Sequence, residues 1–363
     1  MKPAPPLARP FAIGPLTWFA ALSGPVAFGI TQVVAPAWVE AHYTLGIGQP
    51  VASALGALNG VVGFSVAEAV VLLGVGVGGL RLVQAWPAFR MAPVAWLKWH
   101  VPRALVAGSV AYAVFVLAWG LNYRREPIIG RFGFAAGNPS AAEVRSLAIA
   151  QVQAANAARE HVAEDSFGVA SLFGYDPFEQ VAAAFGKASA RWAFLGGTYS
   201  HAKPVAASLI LSYAGLGGVY CPFTGEPNVN ADLLEFDLPF SIAHETAHQR
   251  GVAREDEANF VGWIVLRDFG NPAGRYGAAL QGAYYAVAAF GRADPEAAAA
   301  LWKTASPGVK RDIDAERKWQ ARYESPFAGL FEGVNSAYLK SNGVKDGVES
   351  YGRMVDLMVA EAR

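Results

Sequence analysis

Apolar residues run almost unbroken through the first third of the chain and become periodic in the rest. The stretch from Phe11 to Ala35 carries no charge and has the length of one bilayer span. It follows Lys2 and Arg9, as a signal peptide would, but it is too long for the usual apolar core of one, and further apolar runs follow it. A retained transmembrane helix over 11–35 is therefore expected. A second span is expected over 64–83, opened by the capping pattern Ser65-x-x-Glu68, which places Glu68 in the first helical turn near the interface. A mid-membrane carboxylate of a transport path is the alternative, and Glu68 is a lone carboxylate in the expected spans. A third span is expected over 104–122, with Trp119 and Tyr123 at its end suited to an aromatic interfacial belt. Residues 44–60 are apolar but broken by Gly and Pro, which fits an interfacial segment.

After about Glu126 the spacing becomes that of amphipathic helices. Helices are expected over 140–165, 177–194, 275–292 and 307–323, with another near the end of the chain. The stretch 208–231, rich in Gly, Tyr, Val and Pro, reads as short strand and loop. The expected fold class is mainly α. A membrane domain over 1–125 with three spans precedes a mostly helical domain over 126–363, which has a small β element just before its central motif.

Composition sharpens this division. At 53% hydrophobic and 16% charged, the chain is more apolar than ordinary soluble domains. A formal net charge of zero gives no case for nucleic-acid binding. Cys221, the single cysteine, excludes an intrachain disulfide framework and a Cys-based zinc site, and reads as a small buried hydrophobe. Arg81, Arg90, Lys98 and Arg103 lie between the second and third spans, whereas only Glu40 lies between the first and second. The positive-inside rule puts that basic loop and the N-terminus in the cytoplasm, and the C-terminal domain outside it. Arg124 and Arg125 oppose this weakly.

The candidate chemistry lies in "SIAHETAHQRGVAREDEANF", residues 241–260. Asp237 can cap a helix here, Pro239 suits its first turn and Gly251 ends it. On that helix His244 and His248, four apart, share a face and can aim at one zinc ion. Glu245 is rotated by about 100° and can reach a zinc-activated water as a general base. The position that would hold a third histidine in one zincin class is Arg254, so a carboxylate must serve. A second helix is expected from about Ala253 to Phe269, closed by Gly270. Glu255 in its first turn is the expected third ligand, with Glu257 as the alternative. Asn259, one turn on, is placed to hold a ligand histidine from behind. Asp256 reads as a solvated acid at a helix N-terminus.

"GVYCPFTGEPNVN", "LPFSIAHETAHQRGVAREDEANF", the closing "NSAYLKSNGVKDGVESYGRMVDLM" and "WGLNYRREP" together resemble the bacterial membrane family catalogued as domain of unknown function 3810. The resemblance covers nearly the whole chain. It implies a gluzincin-like zinc metallopeptidase in the bacterial inner membrane, with His244 and His248 as ligands, Glu245 as base and Glu255 as the zinc-binding Glu of Glu-x-x-Ala-Asn. The substrate stays open. Phe223, Thr224, Gly225, Glu226, Asn228 and Asn230 precede the motif helix. They form either a cleft wall on which an extended peptide pairs or a turn dictated by Pro222, Gly225 and Pro227. Tyr276, Tyr284, Tyr285 and His201 are candidate transition-state donors, each also compatible with ordinary packing. The rival functional readings are a zinc-binding, non-proteolytic membrane sensor or assembly factor, and a transporter in which the motif is incidental.

Overall fold

The computed structural model describes residues 14–325 and 328–363. Lys2, Arg9 and the opening residues 11–13 of the first expected span lie outside them. In chain order the elements are α1 (Pro15–Val33), the single turn α2 (Pro36–Trp38), a π-helical stretch Val39–Gly48, α3 (Gln49–Asn59), α4 (Val66–Met91) and α5 (Pro93–Ala118). Two 3₁₀ turns lead to α6 (Ala141–Arg159), the short strands β1 (Ala163–Glu164) and β2 (Ala170–Ser171), α7 (Pro177–Arg191), β3 (Lys203–Val205), α8 (Ser208–Ala214), β4 (Gly218–Cys221) and β5 (Glu226–Asn230). The chain closes with α9 (Leu238–Gln249), α10 (Glu255–Phe269), α11 (Pro272–Gly291), α12 (Pro295–Lys303), α13 (Pro307–Arg322), α14 (Ala328–Ser341) and α15 (Met354–Ala362). The fold is mainly helical.

α1, α4 and α5 are long and apolar enough to cross a membrane. α1 and α5 meet through small residues: Ser109 accepts from the Gly24 amide and donates to Ala21 O, and a Cβ on Gly24 would come within 2.8 Å of Ser109. The spans differ in extent from the expected 64–83 and 104–122. Pro87 is accommodated inside α4 and Pro93 suits the first turn of a new helix, so the basic stretch is not a loop: α4 and α5 run through it and meet at Ala92 alone. At its far end α5 stops at Ala118, and a 3₁₀ turn replaces the expected last residues of the span. Ser65 caps α4 through the Glu68 amide, whereas the Glu68 carboxylate accepts from the amides of Ala206 and Ala207.

Behind the motif, α10 runs through the centre of the second core, its Phe260, Trp263, Ile264 and Val265 almost fully buried. α7, α9, α11 and α15 pack around it, and α6 reaches it through Gln151, which accepts from Trp263 Nε1. At residues 208–214 the expected strand is instead helix α8, ended by Gly215 in the left-handed conformation (φ 68°). β3, β5 and β4 form one sheet in that order, with β5 central, parallel to β3 and antiparallel to β4. The 44–60 segment is helical and docked: Gln49 donates to the carbonyls of Phe194 and Arg250.

Candidate metal centre

α9 ends in a Schellman motif: the Gly251 amide bonds His248 O (2.8 Å), the Val252 amide bonds Ala247 O (3.3 Å), and Gly251 takes φ 79°. This reversal starts α10 four residues later and lays it back along α9. Gly262 permits the contact, since a Cβ there would sit 3.3 Å from the His244 amide. The expected Asp237 cap does not form. Asp237 stands at the N-cap position in a helical conformation, half-buried, and its side chain accepts from Gln281 instead of from the first-turn amides.

The hairpin brings His244, His248 and Glu255 together. The two Nε2 atoms lie 3.0 Å apart, and Glu255 Oε2 lies 3.1 Å from one and 3.6 Å from the other. Ligand atoms on a tetrahedral zinc with ordinary bond lengths lie about 3.3 Å apart. His244 Nδ1 donates to Asn259 Oδ1 at 2.7 Å, and His248 Nδ1 donates to Val252 O at 2.6 Å. With both Nδ1 protons so engaged, both Nε2 atoms turn lone pairs toward each other and toward a carboxylate. Three acceptors without a donor between them fit a cation. The chemistry of two imidazoles and one carboxylate is that of a catalytic zinc site with a position left for water. In the protein alone burial disfavours charge on His248, but Glu255 outweighs it and lifts the ring to about 9, so a proton on Nε2 is what a cation would displace from the cluster. Burial also opposes the Glu255 charge, and the two histidines overcome it and hold that carboxyl far below the usual range.

Glu245 lies beside this cluster, 4% exposed. Burial raises its carboxyl pKa, against the pull of His244 and His248. The Tyr220 amide bonds the carboxylate, and Oε2 has no protein partner. Gly218 makes room for it, since a Cβ there would come within 2.6 Å of Glu245 Cγ.

Glu257 points away, accepting from the Ile128 amide at 2.9 Å, and burial lifts it to about 7. Asp256 is not solvated as expected. It is 5% exposed and pairs with Arg254 (3.3 Å) and Arg353 (3.4 Å), because the chain before α15 folds over this end of α10. Among the candidate donors only Tyr285 reaches the cleft. Its hydroxyl accepts from Asn259 Nδ2 at 3.0 Å, and burial pushes it up to about 12. Tyr276 is buried on Asp312, Tyr284 lies toward Glu316, and His201 lines a different pocket with Arg250.

The cluster opens into a cleft of about 650 Å³. Its wall is residues 215–220, including the first three residues of β4, and not Phe223, Thr224, Gly225, Glu226, Asn228 or Asn230. Of those six, Glu226 and Asn228 tie the sheet to the start of α4. Glu226 accepts from Lys203 Nζ (2.7 Å) and from the Val66 and Ala67 amides that open α4. Asn228 accepts from Ser65, Asn230 donates to Ser212, Thr224 O and Gly225 O accept from Asn59 and Gln249, and Phe223 is exposed. Trp119 and Tyr123 do not form a lipid-facing belt. They are 6% and 8% exposed and line the cleft, Trp119 edge-on to His248 at 6.1 Å. Tyr338 of α14 faces them, its hydroxyl 3.2 Å from that of Tyr123. Sequence reasoning missed Tyr338 and the β4 wall. The pair Gly217–Gly218 was the signal available, since glycines in a strand mark close backbone approach.

Fold and site thus define a mainly helical membrane protein with a two-histidine, one-carboxylate cluster beside the ends of its spanning helices. The chain belongs to the protein family of unknown function DUF3810, whose model matches residues 43–359. Comparison with curated proteins and with solved structures yields no match.

Proposed function

We propose that this protein is a membrane-anchored, zinc-dependent peptidase of gluzincin type, in the bacterial inner membrane with its catalytic domain on the extracytoplasmic side. The observation that carries the reading is the convergence of three acceptor atoms 3.0–3.6 Å apart, with both histidines locked from behind. A bound zinc supplies Lewis acidity and acidifies a coordinated water. The chain supplies the rest. Glu245, buried next to the cluster with one free carboxylate oxygen, takes the proton of the attacking water and returns it to the leaving amine. The outer edge of β4, unpaired among the described residues, offers backbone groups to an extended peptide. Tyr285, protonated at neutral pH, presents a hydroxyl to the carbonyl oxygen under attack. The two oxygens of Glu245 and Gly218's lack of a side chain favour catalysis over a purely binding role.

The test is metal analysis of the detergent-purified protein, with hydrolysis of a peptide library by the wild type and by Glu245→Gln. One zinc per chain in both, and cleavage by the wild type alone, is expected. A wild type that takes up no zinc, or a Glu245→Gln variant that cuts equally well, overturns the reading.

A further inference from the structure

α14, which lines the cleft through Phe331 and Val334, and α8, which runs into the cleft wall at Gly215 and Leu216, form an apolar and exposed rim. Leu209 and Ile210 on α8 are 56% and 62% exposed, and Leu330 and Val334 on α14 are 62% and 61% exposed. α14 packs against α8, so these side chains form one neighbourhood. α8 itself, "SLILSYA", contains no charged residue. Left in water, such a patch carries a cost that soluble surfaces avoid.

The contacts of these elements say what covers them. Glu68, in the first turn of α4, accepts from the amides of Ala206 and Ala207, the two residues before α8. Phe115, in the last turn of α5, meets Tyr338 of α14 with ring centroids 5.8 Å apart. α8 and α14 therefore each touch the end of a spanning helix, and the contact between α8 and α14 brings those two ends to one side. The spans remain lipid-exposed up to these ends, with Val70 59% and Leu117 61% exposed. Exposed apolar side chains thus stand both at the ends of the spans and on the two helices that touch those ends.

We propose that α8 and α14 rest in the headgroup–acyl boundary of the bilayer, so that the metal cleft opens at the lipid surface. Its substrate is then a peptide segment itself held at that surface: the stretch of a membrane protein beside its span, or a lipid-anchored chain. The placement stands on the contacts alone, whereas the substrate class rests on the peptidase reading. Short apolar helices with few charges settle at this boundary, and a substrate anchored in the same plane gains effective concentration at the cleft.

The full-length protein, with Cys221→Ser checked for unchanged metal content, is labelled at Ile210→Cys or Val334→Cys with an environment-sensitive fluorophore. Each is placed in nanodiscs with or without brominated acyl chains. Several-fold quenching by brominated lipid at both positions is expected. Labels quenched by aqueous iodide but not by lipid overturn the placement. So do labels shielded from both, which would assign the rim to a protein partner or a second copy. A second arm compares one peptide free and with an acyl anchor, in nanodiscs. Cleavage of the anchored form faster by about tenfold or more is expected. Equal cleavage overturns the substrate class. If lipid quenches the labels and neither peptide is cut, the substrate class falls with the peptidase reading and the placement stands.

Discussion

Histidines four apart on a helix are common, and what distinguishes His244 and His248 is the acceptor fixed behind each ring. Asn259 and the Val252 carbonyl choose the tautomer that leaves Nε2 bare on both. Asp237 shows the opposite use of burial. Enclosed in the domain and near Glu316, its carboxyl is raised well above the ordinary aspartate value, chiefly by desolvation. A group with a raised folded-state pKa stabilises the fold below its unfolded pKa, about 3.9, and that contribution is lost as pH rises through the folded value. Asp237→Asn keeps the acceptor for Gln281 and removes the titration. Thermal unfolding in detergent should show the variant gaining on the wild type by more at pH 8 than at pH 5. A gain independent of pH would count against this account.

At the scale of elements, the α9–α10 turn decides whether the ligands meet. Gly251 holds φ 79°, and a Cβ there would lie 2.9 Å from Thr44 Cγ2. Gly251→Ala should cost about 1–2 kcal/mol of stability. It should also displace the Val252 carbonyl from His248 and weaken zinc binding by roughly tenfold, read from competition with a chromophoric chelator. Elements with periodic faces and explicit ends were legible in the sequence. α13 was expected at 307–323 and runs Pro307–Arg322, and the two motif helices fall close to their expected bounds. α8 was not legible, because a short apolar run fits a strand as well as a helix. The sequence leaves the segment 223–230 open between a cleft wall and a structural turn. Glu226 and Asn228 of that segment serve α4, and β4 beside it lines the cleft at the His244–His248–Glu255 cluster.

For the whole molecule, the division at about residue 125 was the least informative part of the sequence reading. Polarity changes there, but contacts do not stop. Arg125 donates to both oxygens of Glu40 and to Gly251 O, joining the segment after α1, the end of the spans and the α9–α10 hairpin. Nothing local in "NYRREP" reveals this, since the partners lie 85 and 126 positions away. Lys203 and Glu226 do similar work at α4, paired at 2.7 Å with side chains 8% and 0% exposed. Glu226→Ala leaves a buried ammonium unpaired and the α4 amides unserved, and should lower stability by about 3–5 kcal/mol. The double change Lys203→Met with Glu226→Met should recover much of that loss in thermal melts. A double variant no better than Glu226→Ala would show that the pair is not the cause.

The Schellman turn also bears on the order in which the site is made. His244 and Glu255 are separated by eleven positions, so gathering the ligands closes a very short loop. Bringing Arg125 onto Gly251 closes one of 126 positions, at an entropic cost larger by about 2 kcal/mol. Chain statistics therefore let the three ligands assemble from a local hairpin early in folding, and make the aromatic walls contributed by Trp119 and Tyr338 the late, cooperative part of the structure.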